Sequence, residues 1–418
     1  MLTRTIAMFG LALSVARADG AAQKNTDAVA ALAETREVRA ALDAAGADVS
    51  IADDQIRFCE IPAPPFKEER RAQALKLAFE QLRLADVRID KAGNVLASRP
   101  GVAARPHVVV AAHLDTVFPE STNVHVKRNG SVLTGPGIGD NCRGLATLVA
   151  IGRVLNRAGV KTPGLVTFVA NVGEEGLGNL RGMRELLDNT IQSPIDSFLA
   201  IDGASLFVAN VEVGSHRYRV TFSGPGGHSY AGFGTANPIQ AMGRAIARIS
   251  QIRVPAQPRT TFSVGRVGGG TAVNAIPTEC WMEVDLRSAS APALAALDAE
   301  FRKSVDDAVT DENARWGNQR QVVSKVELVG NRVPGRTPDN APIVRTALSV
   351  ARALGLTVPL TESSTDASVA LARGIPAIAI GAGGRGIGQH TPGETFDTAD
   401  AWRGVQYAVL LVVALSQP

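Results

Sequence analysis

Imidazole and carboxylate side chains recur in this chain directly after short apolar runs. In a buried α/β sheet, residues at the carboxyl ends of strands face bound ligands. Val108–Ala112 ends in His113-Leu-Asp115, and the glycine-rich Gly135-Pro-Gly-Ile-Gly-Asp140-Asn141 opens a helical pattern. Leu165–Ala170 leads to Gly173-Glu174-Glu175-Gly176, Phe198–Ile201 to Asp202-Gly203, and a glycine-rich segment to Gln389-His390-Thr-Pro-Gly-Glu394. Two imidazoles and several carboxylates without sulfur suit Zn²⁺, Co²⁺ or Mn²⁺. Adjacent acids at a strand end repel unless a cation or a proton intervenes. Their side chains diverge, so one of Glu174 and Glu175 can hold a metal while the other takes a proton from water.

Each place also has a plainer reading. His113 alone is a hydrogen-bonded strand-end residue, Asp140 a helix N-cap, and Glu174-Glu175 a solvated acidic loop. His228, in Gly-Pro-Gly-Gly-His, reads as a turn residue. Asn274 reads as a turn and Arg287 as one partner in a strand salt bridge.

The elements that must position these residues alternate. A proline-punctuated loop, Glu60–Phe66, follows an Ala-rich helical stretch from Thr26 to Ala45, and a helix pattern covers Glu68–Leu84. Short apolar strands then alternate with helices such as Asn141–Ala158. This texture predicts an α/β class with a mostly parallel, buried sheet. From Gly214 the order becomes strand, helix, strand, strand, helix, strand, a ferredoxin-like α+β unit, with helices at Asn237–Ile252 and Ala291–Val309. The first texture returns near Arg332. The reading is a discontinuous catalytic domain, residues 19–213 and 332–418, carrying an inserted lid and dimerisation domain at 214–331.

Composition narrows the partners. A net charge of +3 without a basic run argues against nucleic acid and an anionic membrane surface. Arg4, the apolar Ile6–Ala16 and Ala16-Arg17-Ala18 match a secretory signal with cleavage after Ala18, which predicts an exported protein. Without that signal the protein would be cytoplasmic. Cys59, Cys142 and Cys280 are too scattered for a disulfide framework or a thiolate zinc site. They read as small buried hydrophobes, with Cys142 close enough to Asp140 to line a site.

The motifs together resemble the dinuclear zinc metallopeptidase family of peptidase T, glutamate carboxypeptidase, the aminoacylases and acetylornithine deacetylase. They are His113-Leu-Asp115, Gly139-Asp140-Asn141, Gly173-Glu174-Glu175-Gly176, Asp202-Gly203, Gly224–Ser229, Asn274–Pro277, Asp285-Leu-Arg287 and His390-Thr-Pro392. The resemblance implies two divalent ions, zinc first and cobalt or manganese as alternatives. Asp140 would bridge them, with His113 and Asp202 completing one set and Glu175 and His390 the other. It implies Glu174 as general base, Asp115 as the orienter of His113, and His228 as an oxyanion donor from the other subunit of a homodimer. Asn274 and Arg287 would bind substrate. Asp202 in place of glutamate leans toward peptidase T and the dipeptidases, hence a di- or tripeptide. An N-acyl amino acid and a carboxypeptidase substrate are the alternatives.

Two other classes fit less well. Gly381-Ala-Gly-Gly-Arg-Gly386 satisfies the dinucleotide-binding spacing, but no helix pattern opens after it. A catalytically silent binding protein on this fold would have lost a ligand or the base, and none is missing.

Overall fold

The computed structural model describes residues 25–319 and 321–418. The segment read as a signal, residues 1–18, lies outside them. The chain divides into two compact units. One runs to Val211 and resumes at Arg336–Pro418, and the other is Glu212–Gly335.

The first unit is built on a nine-stranded sheet. Its centre is His107–His113, parallel to Leu165–Asn171 on one side and to Ser197–Ile201 on the other. Ala377–Ile380 continues the parallel set beyond Ser197–Ile201. All seven residues of His107–His113 are buried. Helices therefore cover both faces of these strands, which explains their unbroken apolar runs. On one face pack Cys142–Arg157, Trp402–Leu415 and Pro342–Ala353, contributing Leu148, Ile151, Val350 and Leu410 to the main core. The antiparallel strands Ala85–Ile89 and Val95–Arg99 extend the sheet at one edge.

Several elements depart from the sequence expectation. The first helical stretch is two helices, 25–33 and Arg36–Ala47, because Thr35 turns to extended backbone (ψ 144°) and its hydroxyl donates to Leu32 O. A helix at Ser50–Cys59 precedes the proline loop. No described helix is long and apolar enough to cross a membrane.

The second unit has the expected order. Gly214–Ser223, Thr260–Gly269, Glu279–Ser288 and Val323–Arg332 form an antiparallel sheet in which Gly214–Ser223 lies between the third and fourth strands. Pro238–Ile249 and Ala291–Arg315 pack against it. The latter helix runs past Val309 because Glu312, fully buried, accepts from Asn237 N, Arg244 Nε and Trp316 Nε1. Asn313 exchanges two hydrogen bonds with the backbone of Val322.

Candidate metal centre

The parallel strands end together, and their carboxyl ends carry the donors. His113 pairs in register with Asn171, and Asp202 follows Ile201, whose neighbour is Ile380. His113, Asp140 and Asp202 each offer a donor atom within 4.8 Å of the others, and so do Asp140, Glu175 and His390. Asp140 belongs to both groups. His113, Glu174 and Glu175 form a third such group, so Glu174 lies in the same cluster.

The two oxygens of Asp140 divide between the groups. His113 Nε2 lies 3.0 Å from Oδ1, and His390 Nε2 lies 3.0 Å from Oδ2 and 3.1 Å from Glu175 Oε1. Asp202 Oδ1 is 3.8 Å from His113 Nε2. The helix that follows is capped by Asn141, whose Oδ1 accepts from Gly144 N and whose Nδ2 donates to Ile201 O. Asp140 is thus not the N-cap, and its carboxylate turns to the cluster.

Asp115 differs from expectation. His113 Nδ1 donates to the main-chain oxygen of Asp115 at 3.0 Å, with the carboxylate 3.7 Å away. That carboxylate accepts the backbone N–H groups of Glu174 (3.0 Å) and Glu175 (2.8 Å). Residue 115 orients the imidazole through its carbonyl and anchors the acidic pair through its side chain. The bond on His113 Nδ1 leaves Nε2 to face Asp140 and Asp202.

The charges show what the cluster lacks. Burial works against a charged His113, yet Asp115, Asp140 and Asp202 raise its pKa well above the ordinary value. Asp140 and Glu175 raise His390 to about 10. Burial, with Glu174 and Asp140 nearby, raises Glu175 to about 7 despite its bond to His390. Burial and the Asp140 and Glu174 carboxylates also raise Asp202. Among the described side chains of these donor groups, only the two imidazoles can carry positive charge. Divalent ions held by His113, Asp140, Glu175, Asp202 and His390 would supply positive charge there, so the donors fit such ions by type and charge.

Sequence reasoning missed Asp366. It is buried, accepts from Asn171 Nδ2 at 2.8 Å, and is pushed up to about 8 by burial and by Glu174. The polar run Thr361–Asp366 before an apolar helix was its only signal. Buried Arg71 was missed too. It donates to Leu114 O (2.7 Å) and Ile61 O (3.0 Å), tying the strand end to the proline loop. Cys142 faces a small apolar cluster with Cys59, Ile138 and Phe396. Gly381–Gly386 runs into the short strand Arg385–Ile387, not into a helix.

His228, Asn274 and Arg287 lie in the second unit. His228 pairs with Ala275 in a short antiparallel ladder, and Ser229 N donates to Asn274 O, so two of the three share one exposed corner. Tyr230 N donates to His228 Nδ1 at 3.1 Å, which places the imidazole proton on Nε2. Arg287 Nε donates to Asp285 Oδ2 at 2.6 Å, the salt bridge of its plainer reading.

Residues 109–414 match the model of Peptidase family M20/M25/M40. A probable carboxypeptidase of Aspergillus terreus is 26% identical over 237 residues, 53% of this chain and 53% of that protein. A succinyl-diaminopimelate desuccinylase of Corynebacterium glutamicum is 24% identical over 265 residues, 60% of this chain and 69% of that protein. The chain thus spans about half the length of the first relative. In fold it is similar to a tripeptidase of Staphylococcus aureus, with TM-score 0.69 and 21% identity, over 88% of this chain and 97% of that one.

Proposed function

The chain belongs to peptidase family M20/M25/M40, and we propose that it hydrolyses an amide bond in a small substrate, a di- or tripeptide, at a site holding two divalent ions. The observation that carries this reading is Asp140, whose two oxygens belong to two separate donor groups. His113 and Asp202 would hold one ion, Glu175 and His390 the other. Zinc is the ion that imidazole and carboxylate donors favour, with cobalt and manganese as alternatives. The ions would supply Lewis acidity toward the scissile carbonyl and toward a water.

The chain's own residues do the rest. Glu174, its backbone held by Asp115, takes the proton from the attacking water and returns it to the leaving amine. His228 presents Nε2–H, the tautomer that can donate to a developing oxyanion, because its Nδ1 already accepts a backbone N–H. We assign His228 to the site of the other subunit of a homodimer formed through the 214–331 domain. Asn274 and Arg287 contact substrate, the guanidinium facing a carboxylate.

Similarity to a carboxypeptidase, a desuccinylase and a tripeptidase spans three substrate types. A panel of dipeptides, tripeptides, N-acetyl and N-aroyl amino acids, assayed with and without chelator, tests the reading. Chelator-sensitive cleavage of a free-amino-terminal peptide above the acylated compounds is expected. A preference for N-acyl amino acids would replace the peptidase assignment by an amidohydrolase one, and no cleavage by metal-loaded protein would contradict both.

A further inference from the structure

Glycines in Gly135–Asp140 suggest a loop that wraps an anion, and the anion is internal. Four N–H groups of this segment turn onto one residue, Glu394. Gly135 N donates to its main-chain oxygen at 2.9 Å and Gly137 N to Oε2 at 3.1 Å. Gly139 N (2.8 Å) and Asp140 N (3.1 Å) both donate to Oε1. Successive amides converging on a carboxylate form a nest of the kind that binds phosphate elsewhere.

The glycines are required by that approach. Gly137 sits at φ 75°, and a Cβ at Gly139 would stand 2.9 Å from Glu394 Oε1. Further bonds hold the same segment from the opposite side, Gln55 Nε2 to Ile138 O at 2.7 Å and Cys59 Sγ to Pro136 O at 3.4 Å. Glu394 is 2% exposed, and it is in none of the donor clusters found among the described residues. Its oxygens are committed to backbone N–H groups.

Position along the chain gives the arrangement its consequence. Glu394 lies four residues after His390, in a loop closed by Thr391 N to Gly388 O and Glu394 N to Thr391 O. One short loop therefore supplies His390 and, through Glu394, grips the backbone of Asp140.

We infer that Glu394 is a positioning residue that sets Asp140 against His390 and so fixes the geometry of the ion pair. This rests on the reading that Asp140 and His390 hold cations. Removing an anchor one step behind a metal ligand typically weakens metal binding by about 10–100-fold.

The test is Zn²⁺ titration of metal-free full-length protein by competition with a chromophoric chelator, beside thermal unfolding of the same metal-free samples. In Glu394→Gln, Oε1 still accepts from Gly139 and Asp140, while an amide N–H₂ faces Gly137 N–H. The expected result is a rise of about 10–100-fold in the Kd of at least one ion, at a metal-free Tm close to wild type. Glu394→Asp keeps the charge but withdraws it by one methylene, and should weaken binding as well. Gly139→Ala perturbs the same contact from the loop side with Glu394 itself unchanged, and keeps the test open if the first two variants fold poorly. Wild-type affinities in all folded variants, with or without a lower Tm, would overturn the inference and leave Glu394 a structural residue. Failure of wild-type protein to bind Zn²⁺ would instead bring down the two-ion reading beneath it.

Discussion

Replacing Asp115 by Asn separates two ways of holding the acidic pair. In wild type the carboxylate, with no exposed surface, accepts Glu174 N at 3.0 Å and Glu175 N at 2.8 Å. Asn is isosteric but keeps only one acceptor, so one N–H loses a charge-assisted partner and meets another N–H. A hydrogen bond to a charged group is worth about 1.5–3 kcal/mol, and a buried unsatisfied donor costs a similar amount. Part of that loss is relieved by movement of the Glu174–Glu175 loop. A net loss of about 2–3 kcal/mol of correct positioning corresponds to about 30–160-fold in kcat/KM. His113 should stay in place, because its Nδ1 bonds to the main-chain oxygen of residue 115, which the substitution leaves untouched. The assay is kcat/KM on the best substrate of the panel, with metal content measured on the same sample. The expected outcome is a loss in that range with both ions retained. A kcat/KM within twofold of wild type would refute the anchoring argument, and loss of the ion held by His113 would show that the carboxylate orients the imidazole after all.

Glu174→Gln should keep the metals and lose about 10²–10⁴-fold in kcat, whereas Glu175→Gln should lower metal occupancy; exchanged phenotypes would reverse base and ligand. His228→Ala should cost about 10²–10³-fold in kcat at unchanged metal content. Heterodimers of His228→Ala with Glu174→Gln contain one intact site if His228 acts across the dimer, so subunit exchange should restore about half the wild-type activity per dimer; no recovery after demonstrated exchange would contradict that. The metal-free protein should lose stability as pH rises. His390 is raised from 6.5 to about 10, so its contribution is full below 6.5 and is lost through about 10. Glu175, raised from 4.5 to about 7, favours the folded state while protonated, and that contribution is lost as pH rises through about 7. Thermal unfolding across pH 6–10, with and without Zn²⁺, should show a falling Tm only in the metal-free series, and a Tm that rises with pH there would be the wrong sign.

The strand-end rule located His113, Glu174, Glu175 and Asp202 because each follows a run that is buried on both faces, and such runs are visible as uninterrupted apolar residues. What lay beyond sequence was direction. Asp115 has acceptors on both its backbone and its side chain, and only folding decides which meets His113. Glu394 could be seen beside His390 but not on the Gly135–Asp140 loop, since nothing local links positions 254 residues apart. The same limit hid the last turns of Ala291–Arg315, where Glu312 is buried by partners from distant elements and leaves no hydrophobic periodicity to read. The strands Ala85–Ile89 and Val95–Arg99 pair antiparallel at a sheet edge, where mixed burial replaces the apolar run.

Metal stoichiometry shows, without any substrate, whether Asp140 is shared by two cations. Elemental analysis of purified wild-type protein after reconstitution and dialysis should give close to two divalent ions per chain. Asp140→Ala, with His113, Asp202, Glu175 and His390 all present, should lose both together because each donor group loses the member they share. Retention of one full ion by Asp140→Ala would contradict a shared ligand, and a wild-type content near zero after reconstitution would contradict the metal centre itself.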